Sequence, residues 1–276
     1  MCAFERSKKG MDFRMIDIKK AKQEFKNYVK KYDINNPKIA LKIAHIERTS
    51  QIARNLAKNL NLEKEDIELA ELIGLLHDIG RFEQVRIYNT FSDKDSVNHG
   101  ELGAKILFED GEIRRFIEED RYDNIIKTAI VNHNRNRETM QWSNEKEELH
   151  SKIIRDADKI DILYILTFEE KEVAWGKADL SNEKITDEIY REFMNKESIN
   201  YKKRETIADK LVSHFAFLYD FNYKYSLQII KEKGYIDKIY ERFKFNDSET
   251  ENKYNNIYLN AKELLEIRGN NNEKNN

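Results

Sequence analysis

The stretch Leu75-Leu76-His77-Asp78-Ile79-Gly80-Arg81 decides the reading of this chain. A histidine and an aspartate stand side by side at the end of an apolar run. Gly80 follows where a helix C-terminus takes a left-handed residue. Adjacent helical residues point about 100° apart, but in a loosened last turn both side chains can reach one point. An imidazole nitrogen and a carboxylate oxygen meeting there suit a divalent metal. Taken alone, the pair reads as a buried histidine salt-bridged to its neighbour. The other histidines and acids change that reading.

Upstream of the pair, a helix over about 64–78 carries Ile67, Leu69, Ala70, Leu72, Ile73, Leu75 and Leu76. It is apolar on more than one side, the pattern of a central buried helix. Before it, a helix is expected over about 15–32. Asn36-Pro37 then supplies an N-cap with Pro at the first helical position, opening a helix to about Leu60. Its stripe is Ile39, Ile43, Ile46, Ala53, Ala57 and Leu60, and His45 lies on the flank beside it, where a polar residue needs a partner. After the pair, a short helix over Arg81–Asn89 leads into a polar loop, 90–97, whose Asp93 and Asp95 read as solvated. Further helices are expected from Asn98-His99, over 122–133 ending at His133, and over 146–171 carrying Asp156, Asp158 and Asp161. Later helices are expected over 183–195, 205–233 and 250–267. The aromatic run from His214 to Tyr225 reads as core; His150 and His214 read as structural.

The 276 residues hold one Pro, nine Gly and 36% charged residues, so an all-α fold is expected. A net charge of -2 gives no global field for nucleic acid or an anionic membrane. The basic run Lys202-Lys203-Arg204 is too isolated to make a nucleic-acid surface. Cys2 is the sole cysteine, which fits a reducing compartment. Met1 to Met15 lacks the apolar core of a signal peptide, and no later stretch is long enough to span a membrane. These features predict a cytoplasmic protein. Its oligomeric state stays open, and a homo-oligomer is compatible with the sequence.

His45, His77, His99 and His133 fall at element ends or helix flanks, and Asp78 and Asp158 complete a set. Asp158 and Asp161 share a half-apolar helical face, a costly placement unless a cation holds them. Mixed imidazole and carboxylate ligands suit Fe, Mn, Co, Ni or Zn.

The order His45, His77-Asp78, Asp158 resembles the HD-domain metal-dependent phosphohydrolases. His45-Ile46-Glu47-Arg48-Thr49 looks like that family's first motif, Leu76 to Arg81 like its second, and Asp156 to Asp161 like its last. Asn98 to Ala104 and Val131 to Asn134 resemble the branch that holds two metals. The similarity covers about residues 38–170. There is no Gly-Tyr-Pro motif after His133, which separates the chain from the cyclic-di-GMP phosphodiesterase branch.

The resemblance implies an HD-like helical bundle with additional C-terminal helices. It divides the chain into an N-terminal extension and helix (1–35), an HD-type domain (36–171), a C-terminal helical region packed on it (172–268) and a disordered tail (269–276). It implies two divalent metal ions. His45, His77, Asp78 and Asp158 would hold the first; Asp78 would bridge to a second, held also by His99 and His133. Metal-acidified water would attack phosphorus in a small phosphate ester, most plausibly a nucleotide. Asp78, Arg81 and Asp161 form the expected catalytic set, with Arg48 and Arg81 as substrate contacts. Arg81 reads equally as a phosphate clamp or a surface charge; Arg48 would orient His45 or bind substrate; Asp161 would accept from a ligand imidazole. Lys159 reads as solvated. Two rivals remain: a diiron oxygenase of similar ligand set, and a nucleotide-binding regulatory module without turnover.

Overall fold

The computed structural model describes residues 16–270, and among these every regular element is helical. The first half comprises α1 (Ile18–Val29), α2 (Pro37–Asn59), α3 (Lys64–Leu76), α4 (Ile79–Tyr88), α5 (His99–Ala104), α6 (Ile113–Phe116) and α7 (Asp123–Asn132). The second comprises α8 (Glu145–Phe168), α9 (Lys171–Trp175), α10 (Asp187–Met194), α11 (Ile207–Phe215), α12 (Phe217–Asp220), α13 (Lys224–Lys233), α14 (Tyr235–Glu241) and α15 (Ser248–Asn270).

The start signals of the long helices are local. Asn36 accepts from the Lys38 amide and Pro37 takes the first helical position. Asn144 accepts from the Glu147 amide at the head of α8, while Glu147 accepts from Ser143. Thr206 and Asp209 form a reciprocal capping box on α11. α3 is buried from Leu69 to Leu76, as its all-round apolarity predicts.

Two apolar cores share α2, α3 and α8. Ile46, Leu72, Ile73, Leu76, Phe82, Phe116, Ile130 and Ile154 belong to one, which joins α1 to α7. Ala53, Leu56, Ala57, Ile153, Ala157 and Ile160 belong to the other, with Phe193, Phe215, Ile239 and Tyr254 from the C-terminal helices. α8 therefore carries C-terminal packing on one side and Asp158 on another. Two glycines set close approaches. A Cβ on Gly74 would lie 2.7 Å from the Ser50 Cα, and one on Gly80 would lie 2.3 Å from the His99 carbonyl oxygen.

Several expectations change here. Gly80 is not a left-handed cap but lies inside α4, and its missing Cβ lets α4 touch α5. The helix expected over 205–233 is three helices, α11 to α13. The chain leaves helical geometry at Phe221 so that the Asn222 and Tyr223 amides can donate to buried Asp156 at 3.0 Å. The 146–171 helix ends at Phe168, where Glu169 turns extended. α15 runs through Asn270, into the predicted tail. The rest of that tail and residues 1–15 of the N-terminal extension lie outside the described residues. No described helix is long and apolar enough to cross a membrane.

Candidate metal centre

Six side chains, from six helices or their ends, converge. His45 comes from the middle of α2. His77 closes α3 and Asp78 opens α4; the backbone bends between them and turns both side chains inward. His99 opens α5, His133 closes α7, and Asp158 projects from α8. The four histidines and Asp78 are buried, and Asp158 is 17% exposed. His45, His77 and Asp78 present atoms within 4.8 Å of one another; so do His77, His133 and Asp158, and so do Asp78, His99 and His133.

The two oxygens of Asp78 face different partners. Oδ2 lies 3.4 Å from His45 Nε2 and 3.6 Å from His77 Nε2. Oδ1 lies 3.2 Å from His99 Nε2 and 3.6 Å from His133 Nε2. Asp158 Oδ1 is 3.1 Å from His45 Nε2 and 3.7 Å from His77 Nε2.

Every imidazole is anchored through Nδ1. His77 Nδ1 meets the Gly74 carbonyl at 2.8 Å and His133 Nδ1 the Ile130 carbonyl at 2.6 Å. His45 Nδ1 meets Asp161 Oδ2, and His99 Nδ1 meets Asp93 Oδ2, both at 2.7 Å. An Nδ1–H donating to an oxygen leaves Nε2 as a lone pair. Four lone pairs thus face two carboxylates in a buried space, with His99 and His133 Nε2 only 2.9 Å apart. His45 Nε2, His77 Nε2 and Asp78 Oδ1 have no hydrogen-bond partner. Clustered acceptors without donors are unfavourable unless cations sit among them. The donor set fits divalent metal ions.

Residues 43–163 match the family model described as HD domain, and this span holds all six side chains. Over this span the chain is similar to HD domains. Such domains mark a superfamily of metal-dependent phosphohydrolases, and the buried histidine–aspartate cluster agrees with divalent-metal binding. Comparison with curated proteins and with solved structures found no match.

Charge in the HD domain follows the same logic. Burial opposes a charged His45, as does Lys42, but the neighbouring carboxylates of Asp158, Asp161 and Asp78 outweigh both and raise its pKa to about 10. Burial, reinforced by Arg81, pushes His99 down to about 3, and burial also lowers His77. Burial works against ionised Asp78, yet Lys42 and His77 hold its pKa well below the usual carboxylate range.

A ring of supporting groups holds the six. Arg48 grips Asp161 through two hydrogen bonds, at 2.6 and 3.1 Å, and lies 4.4 Å over the Tyr164 ring. Arg81 donates to Asp93, Gln84 and the Phe91 carbonyl at 2.6–2.8 Å. Arg81 is therefore no surface charge. Asp93, read as solvated, is corrected: it accepts from His99, Arg81, Gln84 and Asn134. Asp95 is exposed. Lys159, also read as solvated, is buried and paired with Asp220, a residue the C-terminal region supplies. Arg155 donates to the Asn132 and His133 carbonyls and to Asp220, fixing the end of α7 that carries His133.

Lys42 is absent from the sequence reading. Its Nζ lies 2.6 Å from Asp78 Oδ2. The signal was its place three residues before His45, on the same helical face. His150 pairs with Asp66 at 3.2 Å, away from the cluster, and His214 also lies outside it.

Proposed function

We propose that this chain hydrolyses a phosphate ester, a nucleotide by preference, at two divalent metal ions. The observation that carries the proposal is the division of Asp78: one oxygen faces His45 and His77, the other His99 and His133. In this reading His45, His77, Asp78 and Asp158 hold one ion, and Asp78, His99 and His133 the other. When bound, the ions supply Lewis acidity toward phosphoryl oxygens and acidify water.

The chain's own residues do the rest. Asp161 and Asp93 keep the imidazoles of His45 and His99 in the tautomer that points Nε2 inward. Arg48 and Arg81 hold those two carboxylates in place, a positioning role in preference to direct substrate contact. Lys42 and Asp158, 16% and 17% exposed, flank the open side of the centre. Lys42, which donates to Asp78 at 2.6 Å, would be the cation at hand to donate to a phosphoryl oxygen beside bound metal.

A turnover screen tests the reading. Nucleotides, dinucleoside polyphosphates and cyclic dinucleotides are offered with Mn, Fe, Co, Ni or Mg in turn, with and without oxygen. Hydrolysis that proceeds anaerobically is the expected result. Turnover that requires oxygen would assign the site to a diiron oxygenase instead.

A further inference from the structure

A second group of polar side chains lies in the C-terminal helices, outside the HD domain. Arg204 precedes α11, and Lys210, Ser213 and His214 belong to it. Arg204 and Lys210 are partly buried, while His214 is 7% and Trp175 3% exposed. Arg204 donates to the Ser213 hydroxyl at 3.1 Å and to the Tyr201 carbonyl at 3.2 Å. The His214 ring stands edge-on to Trp175, with centroids 5.4 Å apart, and to Phe217, at 5.2 Å.

The Asp209 carboxylate reaches this group through its field alone, favouring a charged Arg204. Among the described residues, neither Arg204 nor Lys210 pairs with a carboxylate. Glu205, next to Arg204, is exposed, and Asp209, next to Lys210, is occupied by the amides of Thr186, Glu205 and Thr206 and by the Thr186 hydroxyl. Two further polar atoms, His214 Nδ1 and Trp175 Nε1, are buried with no partner. An indole N–H can only donate. Burial lowers the pKa of Lys210 and Arg204 adds to it; burial, Lys210 and Arg204 together press His214 well below its ordinary range. Lys210 and His214 lie one turn apart on α11, Arg204 is tied to Ser213 of the same turn, and the unpaired indole donor stands against the His214 ring. Elsewhere this chain pairs its buried cations: Arg155 and Lys159 both meet Asp220.

We propose that Arg204, Lys210 and His214, with the Trp175 indole beside them, bind a phosphoryl group. A phosphate dianion supplies the missing charge and the acceptors together. The site is one ring away from α8, because Phe217 contacts His214 on one side and the Lys159 ammonium lies 5.8 Å over its ring. The phosphoryl group belongs either to a remote part of the substrate or to a separate effector; the recognition chemistry is the same. The site needs no metal, so it stands or falls apart from the hydrolase reading.

The test uses the full chain treated with chelator, titrated with pyrophosphate by calorimetry. Binding to the parent is expected, with Lys210→Gln and Arg204→Gln each weakening it about tenfold or more. Lys210→Gln should melt no lower than the parent, since it removes a cation with no carboxylate partner; Arg204→Gln also loses its bonds to Ser213 and the Tyr201 carbonyl, so its melt is measured alongside. Absence of binding to the parent, or equal binding by parent and both well-folded variants, overturns the proposal. Kinetics of the metal-loaded protein then assign the source. A raised KM with unchanged kcat in Lys210→Gln marks a substrate phosphate. An unchanged KM, with a pyrophosphate response present in the parent and lost in the variant, marks an effector.

Discussion

At Asp93 one carboxylate receives His99, Arg81, Gln84 and Asn134. Its contact with His99 Nδ1 decides which nitrogen of that ring carries the proton, and so whether Nε2 is available inward. Asp93→Asn can present its amide N–H to the same ring and turn that preference around. We predict a fall in metal affinity of about 10–100-fold, read by titration with Mn. Unchanged affinity would remove Asp93 from the centre. Asp66 makes a separate point about pH. Its hydrogen bond to His150 outweighs burial and, with Lys146, lowers its pKa from the ordinary 3.8 to about 2. A lowered folded-state pKa stabilises the fold fully above 3.8, and that contribution is lost as pH falls through 2. Asp66→Asn should therefore destabilise by about 1–2 kcal/mol near neutrality, allowing for partial solvent screening. The difference from the parent should close between pH 3.8 and about 2, measured by urea unfolding across pH. A gap that stays constant would mean that the Asp66 charge contributes nothing.

At the scale of elements, the approach of α4 to α5 is set by Gly80. An added methyl would meet the His99 carbonyl and the Gly103 amide, both backbone, so a helix must move. Gly80→Ala should cost about 1–3 kcal/mol and lower metal content, because His99 travels with α5. Parental stability, or full metal content in a destabilised variant, would contradict this. The same region shows what the sequence discloses about elements. The two strongest start signals, Asn36-Pro37 and the apolar run of α3, were legible because propensity, capping and burial agree there. Gly80 was misread because a glycine after a helix end suits a left-handed cap as well as a tight helix contact, and only the position of α5 distinguishes them. The break at Phe221 was hidden for a similar reason. Its cause is a carboxylate, Asp156, more than sixty residues away in sequence. Lys159 was misjudged likewise, since it is buried against Asp220 of a distant segment, and Asp93 because its loop folds back onto Arg81, Gln84 and His99. The six inward side chains were legible because residue type and order carried them, as was Asp161 behind His45, whereas Lys42 and Asp93 depend on packing.

For the whole molecule, the two cores meet along α2, α3 and α8, so the C-terminal helices cover surface that the metal-bearing helices would otherwise expose. Asp220 extends this dependence to the centre itself, through Arg155 and the end of α7. Removal of residues 172–276 should leave Leu56, Ile153, Ala157 and Ile160 uncovered, and fragment 1–171 should aggregate or lose its cooperative melt. A soluble fragment that melts cooperatively and keeps its metal would make the region a separate appendage. The central claim is that Asp78 stands between two ions, and metal content per chain tests it most directly. Parent, His77→Ala and Asp78→Ala are loaded with Mn, desalted and measured by elemental analysis. The account predicts about two ions per parent chain, as two-metal sites hold, and a greater loss in Asp78→Ala than in His77→Ala, with little change in melting temperature under chelator for Asp78→Ala. A single ion in the fully loaded parent, or both ions retained by Asp78→Ala, would contradict it.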